Sequence, residues 1–438
     1  MTAEVVILNR EAVAIAADSA ATVAGRGPKI YNTANKLFPL SAVEPVAVMF
    51  YGAGAFGPVP WETVVKEYRR TRGAQSFETV AEYAADFIEH LSDLTQHVSR
   101  GEQRERVAMT ALWELEMIRD VVEEQVTAAA TAGADLDEAT IIERILDEIN
   151  TTIEQLEGGT FVDGLSAAIV GREIGNAVPD WSDFVAAVFR DLPTDARVVR
   201  RARVLVRMSL RLADRSPGSG GVVVAGFGES EIFPALSHYL LDGVVANRVR
   251  AHPGSHVRID GNQSAGIYPF AQEDMVATFM DGVHPGFRLA LDGFVDETVA
   301  LLLERFCRLV EDSLPAAVYE QLQIEMQDAR DWVTEHVGSG LNEFLERNNS
   351  GPIMSVVEVL PKEELAEMAE ALVNLTSFKR RVTPGAETVG GPIDVAVISK
   401  GDGLVWIKRK HYFDPELNHR YFDRDRQLRG SGTLGGTP

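Results

Sequence analysis

The sequence of 438 residues sets 65 acidic against 42 basic side chains, a formal charge of −23 that repels phosphate backbones and argues against nucleic acid as a general partner. Its single cysteine, Cys307, excludes an intrachain disulfide framework, so the chain relies on a large buried core and suits a reducing, cytoplasmic setting. No apolar run reaches the roughly eighteen residues of a membrane span, and Met1-Thr2-Ala3-Glu4 lacks the basic-then-apolar order of a secretion signal, so neither membrane nor export is expected.

In chain order, residues 4–8 and 12–17 read as two short apolar strands joined by the polar tip Asn9-Arg10-Glu11, a hairpin. A loop of small residues and glycine (19–28) leads to a second pair of apolar segments, 36–40 and 46–51. Helical periodicity starts at 60–70 and continues at 76–94, with Val80, Ala84, Phe87, Leu91 and Leu94 on one face. Residues 103–157 and 181–214 are charged amphipathic helix, too long for ordinary connections, and read as part of an insertion at about 100–215. Within it the row Arg197, Arg200, Arg201, Arg203, Arg207 and Arg211, interleaved with Val and Leu, predicts one helix with a solvated basic face and acidic neighbours.

Strand character returns at 221–226 and 236–241, with turn chemistry from Pro234 and Asp242-Gly243. Helices are expected at 270–280, 295–310, 315–336 and 362–375, a second insertion spanning about 295–380, with Cys307 as a small buried thiol on an apolar face. A closing hairpin pairs 393–399 with 404–408 around Lys400-Gly401-Asp402-Gly403. After Tyr421 the composition turns to charge, glycine and threonine, and 426–438 reads as a disordered tail. No repeat of solenoid period occurs. Strand pairs, long helices and strand pairs again describe an α+β domain spanning 2–425, rather than a βαβα alternation.

Four features carry chemistry. Thr2 follows the initiator methionine, whose removal leaves a hydroxyl nucleophile beside its own α-amine, a base with a reference pKa of about 7.7–8. Asp18, in Ala16-Ala17-Asp18-Ser19, ends the second strand beside the start of the first. Lys36, in Asn35-Lys36-Leu37, opens the next strand, where an ammonium held by Asp18 lowers the pKa of the threonine hydroxyl. Gly52, in Tyr51-Gly52-Ala53-Gly54, lies in a turn that aims backbone N–H groups at a developing oxyanion.

These residues resemble the β subunits of the proteasome and their bacterial relatives. In that family the mature threonine is followed sixteen positions later by an aspartate, then by a lysine opening the third strand and by an oxyanion-hole glycine. Here Thr2 to Asp18 is also sixteen, Thr22 takes the trailing threonine place, Lys36 follows an interval two residues longer, and Gly52 takes the glycine place. Segments 222–243 and 393–408 resemble the family's central and closing hairpins.

The resemblance implies a four-layer αββα sandwich of two antiparallel sheets, of the N-terminal-nucleophile (Ntn) hydrolase type, enlarged here by helical insertions. It also implies acyl transfer from a peptide or amide substrate without cofactor or metal, and homo-oligomers built as rings or helical stacks. The family's supporting serine has its candidate in Ser264, within Asn262-Gln263-Ser264-Ala265. The Asp-x-x-Ser-Gly element reads Ala386-Glu387-Thr388-Val389-Gly390, with Ala386 at the aspartate place and Val389 at the serine place.

Other readings compete. Gly52-x-Gly54-x-x-Gly57 has the spacing of a dinucleotide fingerprint, but Pro58 and Pro60 interrupt the helix entry and no acid-tipped parallel strand follows. His90 and His97 are seven apart without an HExxH pairing, so they read as ordinary helix histidines. A catalytically inactive shell or scaffold protein of the same fold, and an amidase acting on a small molecule, are the remaining alternatives.

Overall fold

The computed structural model describes residues 3–23, 29–131, 133, 136–212, 214–215, 220–383 and 389–420. Its strands are β1 (Glu4–Asn9), β2 (Val13–Ala17), β3 (Ala21–Val23), β4 (Lys29–Tyr31), β5 (Leu37–Pro39), β6 (Val46–Tyr51), and the two-residue β7 (Ala55–Phe56) and β8 (Val59–Pro60). Helices α1 (Trp61–Arg72), α2 (Val80–Leu94), α3 (Arg100–Thr131), α4 (Glu138–Leu156), α5 (Ala167–Ala177), α6 (Trp181–Phe189) and α7 (Ala196–Ser209) follow. Then come β9 (Gly220–Gly226), β10 (Ala235–Val245), β11 (Arg248–Arg258) and β12 (Ala265–Phe270). The chain continues through α8 (Asp274–Asp281), α9 (Pro285–Val310), α10 (Ala316–Leu345), α11 (Gly351–Val357) and α12 (Lys362–Val382) to the hairpin β13 (Asp394–Ser399) and β14 (Gly403–Lys408).

Two five-stranded sheets organise these elements, in the orders β12-β1-β2-β13-β14 and β11-β10-β9-β6-β5, with every pairing antiparallel. Every residue of β1, β2 and β13 is buried, because both faces of these strands are covered. Val6, Leu8, Val13 and Ile15 share one core with Leu37, Met49, Val223 and Leu236 of the other sheet. Their neighbours Val5, Ile7, Ala14 and Ala16 point the opposite way, onto Leu365, Ala369, Leu372 and Val373 of α12. The outer face of the second sheet sends Val48, Phe50, Val222 and Val224 against α1 and α2, where Phe50 stacks on Trp61 with centroids 4.1 Å apart. Thr79 and Glu82 close a capping box that starts α2.

The α+β class and both terminal hairpins agree with the sequence reading. Three differences have physical causes. β11 and β12 were not expected from the sequence, since one carries His252, Pro253, Gly254 and His256 and the other Pro269; both lie at sheet edges, where proline and polar residues are tolerated. Phe270 therefore ends a strand, and the helix expected from 270 begins at Asp274. α12, placed within the second insertion by periodicity, is instead the cover of β1, β2 and β13. The glycine spacing at 52–57 leads into β7 and β8 and an antiparallel sheet, not a helix N-terminus on a parallel strand, so it is no dinucleotide site.

Helices α3 to α7, between β8 and β9, have a core of their own around Ile149, Val185, Phe189 and Leu205. The arginine row lies on α7 as expected: Val198, Leu205 and Val206 are buried, while Arg197 pairs with Glu143 and Asp195. A buried cation locks this body to the sheet. Arg250 of β11 is wholly buried, donates to the carbonyls of Ser209 (3.1 Å), Leu212 and Arg215 (3.2 Å), and pairs with buried Asp242 of β10. Arg106 of α3 also reaches Asp242, at 3.1 Å. Beside them the side-chain amide of Gln103 clamps the β10–β11 turn, exchanging two 2.9 Å bonds with Asn247, whose φ of 56° follows Ala246 at 52° as a tight primed turn requires. Asp242→Asn removes the counter-charge of a guanidinium that water cannot reach; the expected outcome is a loss of about 3 kcal/mol of unfolding free energy, read from the urea midpoint.

Candidate functional site

The β1–β2 register sets Glu4 opposite Ala17, so the residues just beyond each, Ala3 and Asp18, meet at one end of the first sheet. Their main chains close the ladder, with Asp18 N–H donating to Ala3 O at 3.1 Å. Lys36 arrives from the other sheet. It precedes β5, and its carbonyl accepts from Phe50 N–H at 3.0 Å, next to Tyr51 and Gly52 at the tip of β6. The expected residues Asp18, Lys36 and Gly52 are thus gathered at one end of the two sheets; Thr2 lies outside the described residues.

Asp18, almost wholly buried, is the hub. One carboxylate oxygen accepts the Lys36 ammonium and Ala3 N–H (3.2 Å), and the other accepts Gly390 N–H (2.8 Å) and Ala20 N–H (3.3 Å). Such saturation is what permits a buried charge. The same ammonium lies 3.1 Å from Glu4, a carboxylate with a fully buried side chain. Gly52 is exposed and has φ of 83°, a left-handed conformation that favours glycine. A cavity of about 230 Å³ adjoins this turn, lined by Tyr51, Ala53, Phe56, Trp61, Arg106 and Gly221.

Ser264 is not brought to this end. It precedes Ala265, which pairs with Asn9 at the far end of β1, about 17 Å of strand away from Glu4. The opposite end of β12 is the one that adjoins the cluster, since Phe270 pairs with Glu4. There Ala271 adopts φ of 67°, Gln272 is buried, and burial first, then Asp274, raises the pKa of Glu273. Ala386 lies outside the described residues. Val389, at the serine place of the resembled element, is buried among apolar side chains of the β1–β2–β13 face.

Sequence reasoning missed several groups at this end. Glu4 was taken as the first residue of an apolar strand; a carboxylate inside a fully covered strand was the available signal. Asp394 stands opposite Ala17 and accepts from Arg409 (2.9 Å), from Lys410 N–H (2.9 Å) and from the Lys410 ammonium (2.5 Å). Burial lowers the pKa of Lys410, with the like charges of Arg409 and Lys36 adding to it and Asp394 opposing. The end of the sheet therefore sets three carboxylates, Glu4, Asp18 and Asp394, against three cations, Lys36, Arg409 and Lys410.

Tyr51 joins the two sheets. Its hydroxyl hydrogen-bonds His238 at 2.7 Å and its ring stacks near Phe270, while burial, Glu273 and Glu4, in that order, raise its pKa. Gly221 and Gly254 leave the room: a Cβ on Gly221 would sit 2.1 Å from the Tyr51 ring and one on Gly254 2.5 Å from the His238 ring. Among the described residues no group of His, Cys, Asp and Glu is arranged to hold a metal ion, and no described helix is long and apolar enough to cross a membrane.

No protein-family model matches the chain, and no curated protein does. Among solved structures it is similar to an Anbu (Gly-1) mutant from Hyphomicrobium sp. strain MC1, at 8% identity over 100% of both chains with a TM-score of 0.28. It is also similar to Anbu (ancestral beta-subunit) from Yersinia bercovieri, at 7% identity over 100% of this chain and 98% of that one, with a TM-score of 0.25.

Burial depresses the His238 pKa from 6.5 to about 4, so the folded protein holds this ring neutral. The unfolded chain binds the proton first as pH falls. Stability contributed by His238 is therefore complete above pH 6.5 and lost progressively toward pH 4, by roughly 2–3 kcal/mol. His238→Gln is expected to flatten that part of the stability–pH curve, measured by urea unfolding across the interval.

Proposed function

We propose that this chain is an N-terminal-threonine hydrolase of the proteasome type, built on the four-layer αββα Ntn sandwich, that cleaves a peptide or amide bond through an acyl-enzyme. The observation that carries this reading is the buried Lys36 ammonium held by Asp18 and Glu4, on a carboxylate that also anchors the main chain of Ala3, the neighbour of Thr2. A structural hairpin has no need of a buried lysine bound to two acids beside a chain terminus, and desolvated, paired charges are what nucleophile activation uses.

Once Met1 is removed, the Thr2 hydroxyl attacks the substrate carbonyl and its proton passes to the α-amine of the same residue. Lys36 lowers the pKa of the hydroxyl, Asp18 orients Lys36, and the Gly52 N–H receives the oxyanion of the tetrahedral intermediate. Collapse breaks the C–N bond, the departing amine takes the proton from the α-ammonium, and a water activated by the amine then hydrolyses the ester. Ser264 has no part in this scheme, because a β1 strand's length separates it from the cluster. The cavity behind Tyr51-Gly52-Ala53 offers an apolar floor with Arg106 at its wall.

One observation favours a second reading, a shell or scaffold protein with a vestigial site: the serine place of the resembled element holds Val389, an apolar side chain turned into the core. Intact-mass measurement before and after a β-lactone or peptide epoxyketone separates the two. The hydrolase reading expects loss of Met1 and one label per chain, abolished by Thr2→Ala and slowed about 100-fold or more by Lys36→Ala. Retained Met1 in the mature protein, or clean processing with no label from either probe, would sink it.

A further inference from the structure

The cavity of about 230 Å³ beside the Gly52 turn is a notch at the end of the second sheet. β6 stops at Tyr51, opposite Gly221, and β9 begins at Gly220, opposite Leu241 of β10. β10 runs on to Val245 with α3 packed on it. A Cβ on Gly220 would lie 3.7 Å from Gly52 Cα, so the notch opens beside the N–H that receives the oxyanion in the proposed reaction. Phe56, Trp61, Leu241 and Val244 make its walls apolar, and Trp61 Nε1–H donates to Ala53 O at 2.7 Å, fixing the loop that forms one side. Gly243, with φ of 80°, leaves the other side to Arg106: a Cβ there would stand 3.6 Å from Arg106 Nε. Gly52 and the strand that carries Gly243 are two strand spacings apart, about 10 Å, a span that two hydrogen bonds and a side chain of glutamate length fill.

Among the described lining residues the charged ones are Arg106 and Glu102. Glu102 is exposed and accepts Ser99 N–H at 2.8 Å, at the start of α3. Arg106 belongs to the inner wall, and its acid is shared. One oxygen of Asp242 faces Arg106 at 3.1 Å while the other faces the wholly buried Arg250. The neighbouring Glu114 is taken by Arg215, through bonds of 2.7 and 2.9 Å. Two guanidiniums thus lean on one carboxylate, and Arg106 has five N–H donors to place. Burial lowers its pKa, with exposed Glu105 opposing, as for a cation short of compensation. A second carboxylate entering the notch would complete the pairing.

The acyl part of a substrate ends at the scissile carbonyl, so what can enter a cavity beside the oxyanion is its last side chain and not a chain terminus. We propose that this cavity receives that side chain and that Arg106, supplied by α3, selects an acidic one, glutamate above all. The proposal rests on the hydrolase reading and names its substrate class.

Four peptide epoxyketones that differ only in the residue beside the reactive group, Glu, Gln, Leu or Arg, test it. The readout is the rate at which the intact mass of the full chain gains a label that Thr2→Ala abolishes. The Glu probe is expected to react about 10-fold or more faster than Gln, which shares its shape without the charge. Arg106→Met leaves Asp242 to Arg250 alone; it is expected to remove the preference for Glu while the Leu probe reacts much as in the wild type. Arg106→Lys is expected to retain part of the preference. A Glu probe no faster than Gln in the wild type, a comparison that needs no variant to fold, overturns the inference, as does a preference that survives in Arg106→Met; both leave the hydrolase reading standing. Labelling by none of the four sinks that reading, and the inference with it.

Discussion

The meeting of Lys36 with Asp18 and Glu4 is the constraint on which the candidate site depends. An ammonium withdrawn from water costs several kcal/mol before any partner is counted, and two carboxylates withdrawn with it cost more. The arrangement is tenable because Asp18 also accepts three main-chain N–H groups, from Ala3, Ala20 and Gly390. Those bonds draw the start of β1, the end of β2 and the approach to β13 onto one carboxylate. The lysine belongs to the other sheet, so the same contact fixes how the two sheets meet at this end. Moving any of these strands by one residue would exchange its buried faces and part the acid from its cation.

A second charged group, Asp394 with Arg409 and Lys410, stands next to the first and follows the same logic. Asp394 is opposite Ala17, one position from Asp18, and Arg409 also donates to Leu37 O, one position from Lys36. Three acids and three bases balance in formal charge within this cluster. That balance explains how so acidic a chain can gather cations at one point. Tyr51 and His238 sit beside this network as an uncharged pair, kept so by burial.

Elsewhere buried charge serves attachment. Arg250 is the cation of a joint between the second sheet and the α3–α7 helices, using three carbonyls at the end of α7 and beyond it as acceptors. Gln103 performs a neutral version of the same task at the β10–β11 turn. The α3–α7 helices thus keep their own apolar core yet are registered on the sheet by polar contacts whose geometry tolerates little sliding. The α9–α10 pair is different in kind: the two helices touch each other and leave apolar faces open.

What the sequence determined by itself were the local properties. Continuous apolar runs marked β1, β2, β6, β9 and β13 because strands covered on both faces need no polar alternation, and 3.6-residue periodicity marked the helices. Spacing marked Asp18, Lys36 and Gly52 as residues that could meet at one end of the strands. Tertiary structure alone decided the rest. β11 and β12 became strands at edges where proline costs no ladder bond, a fact that depends on which neighbours a strand lacks. Glu4, Asp394 and Lys410 entered the cluster, and Ser264 was left at the far end of β1, because strand register is a relation between segments distant in the chain. No single segment carries that information; it arises when packing of the two sheets selects one register for all of them.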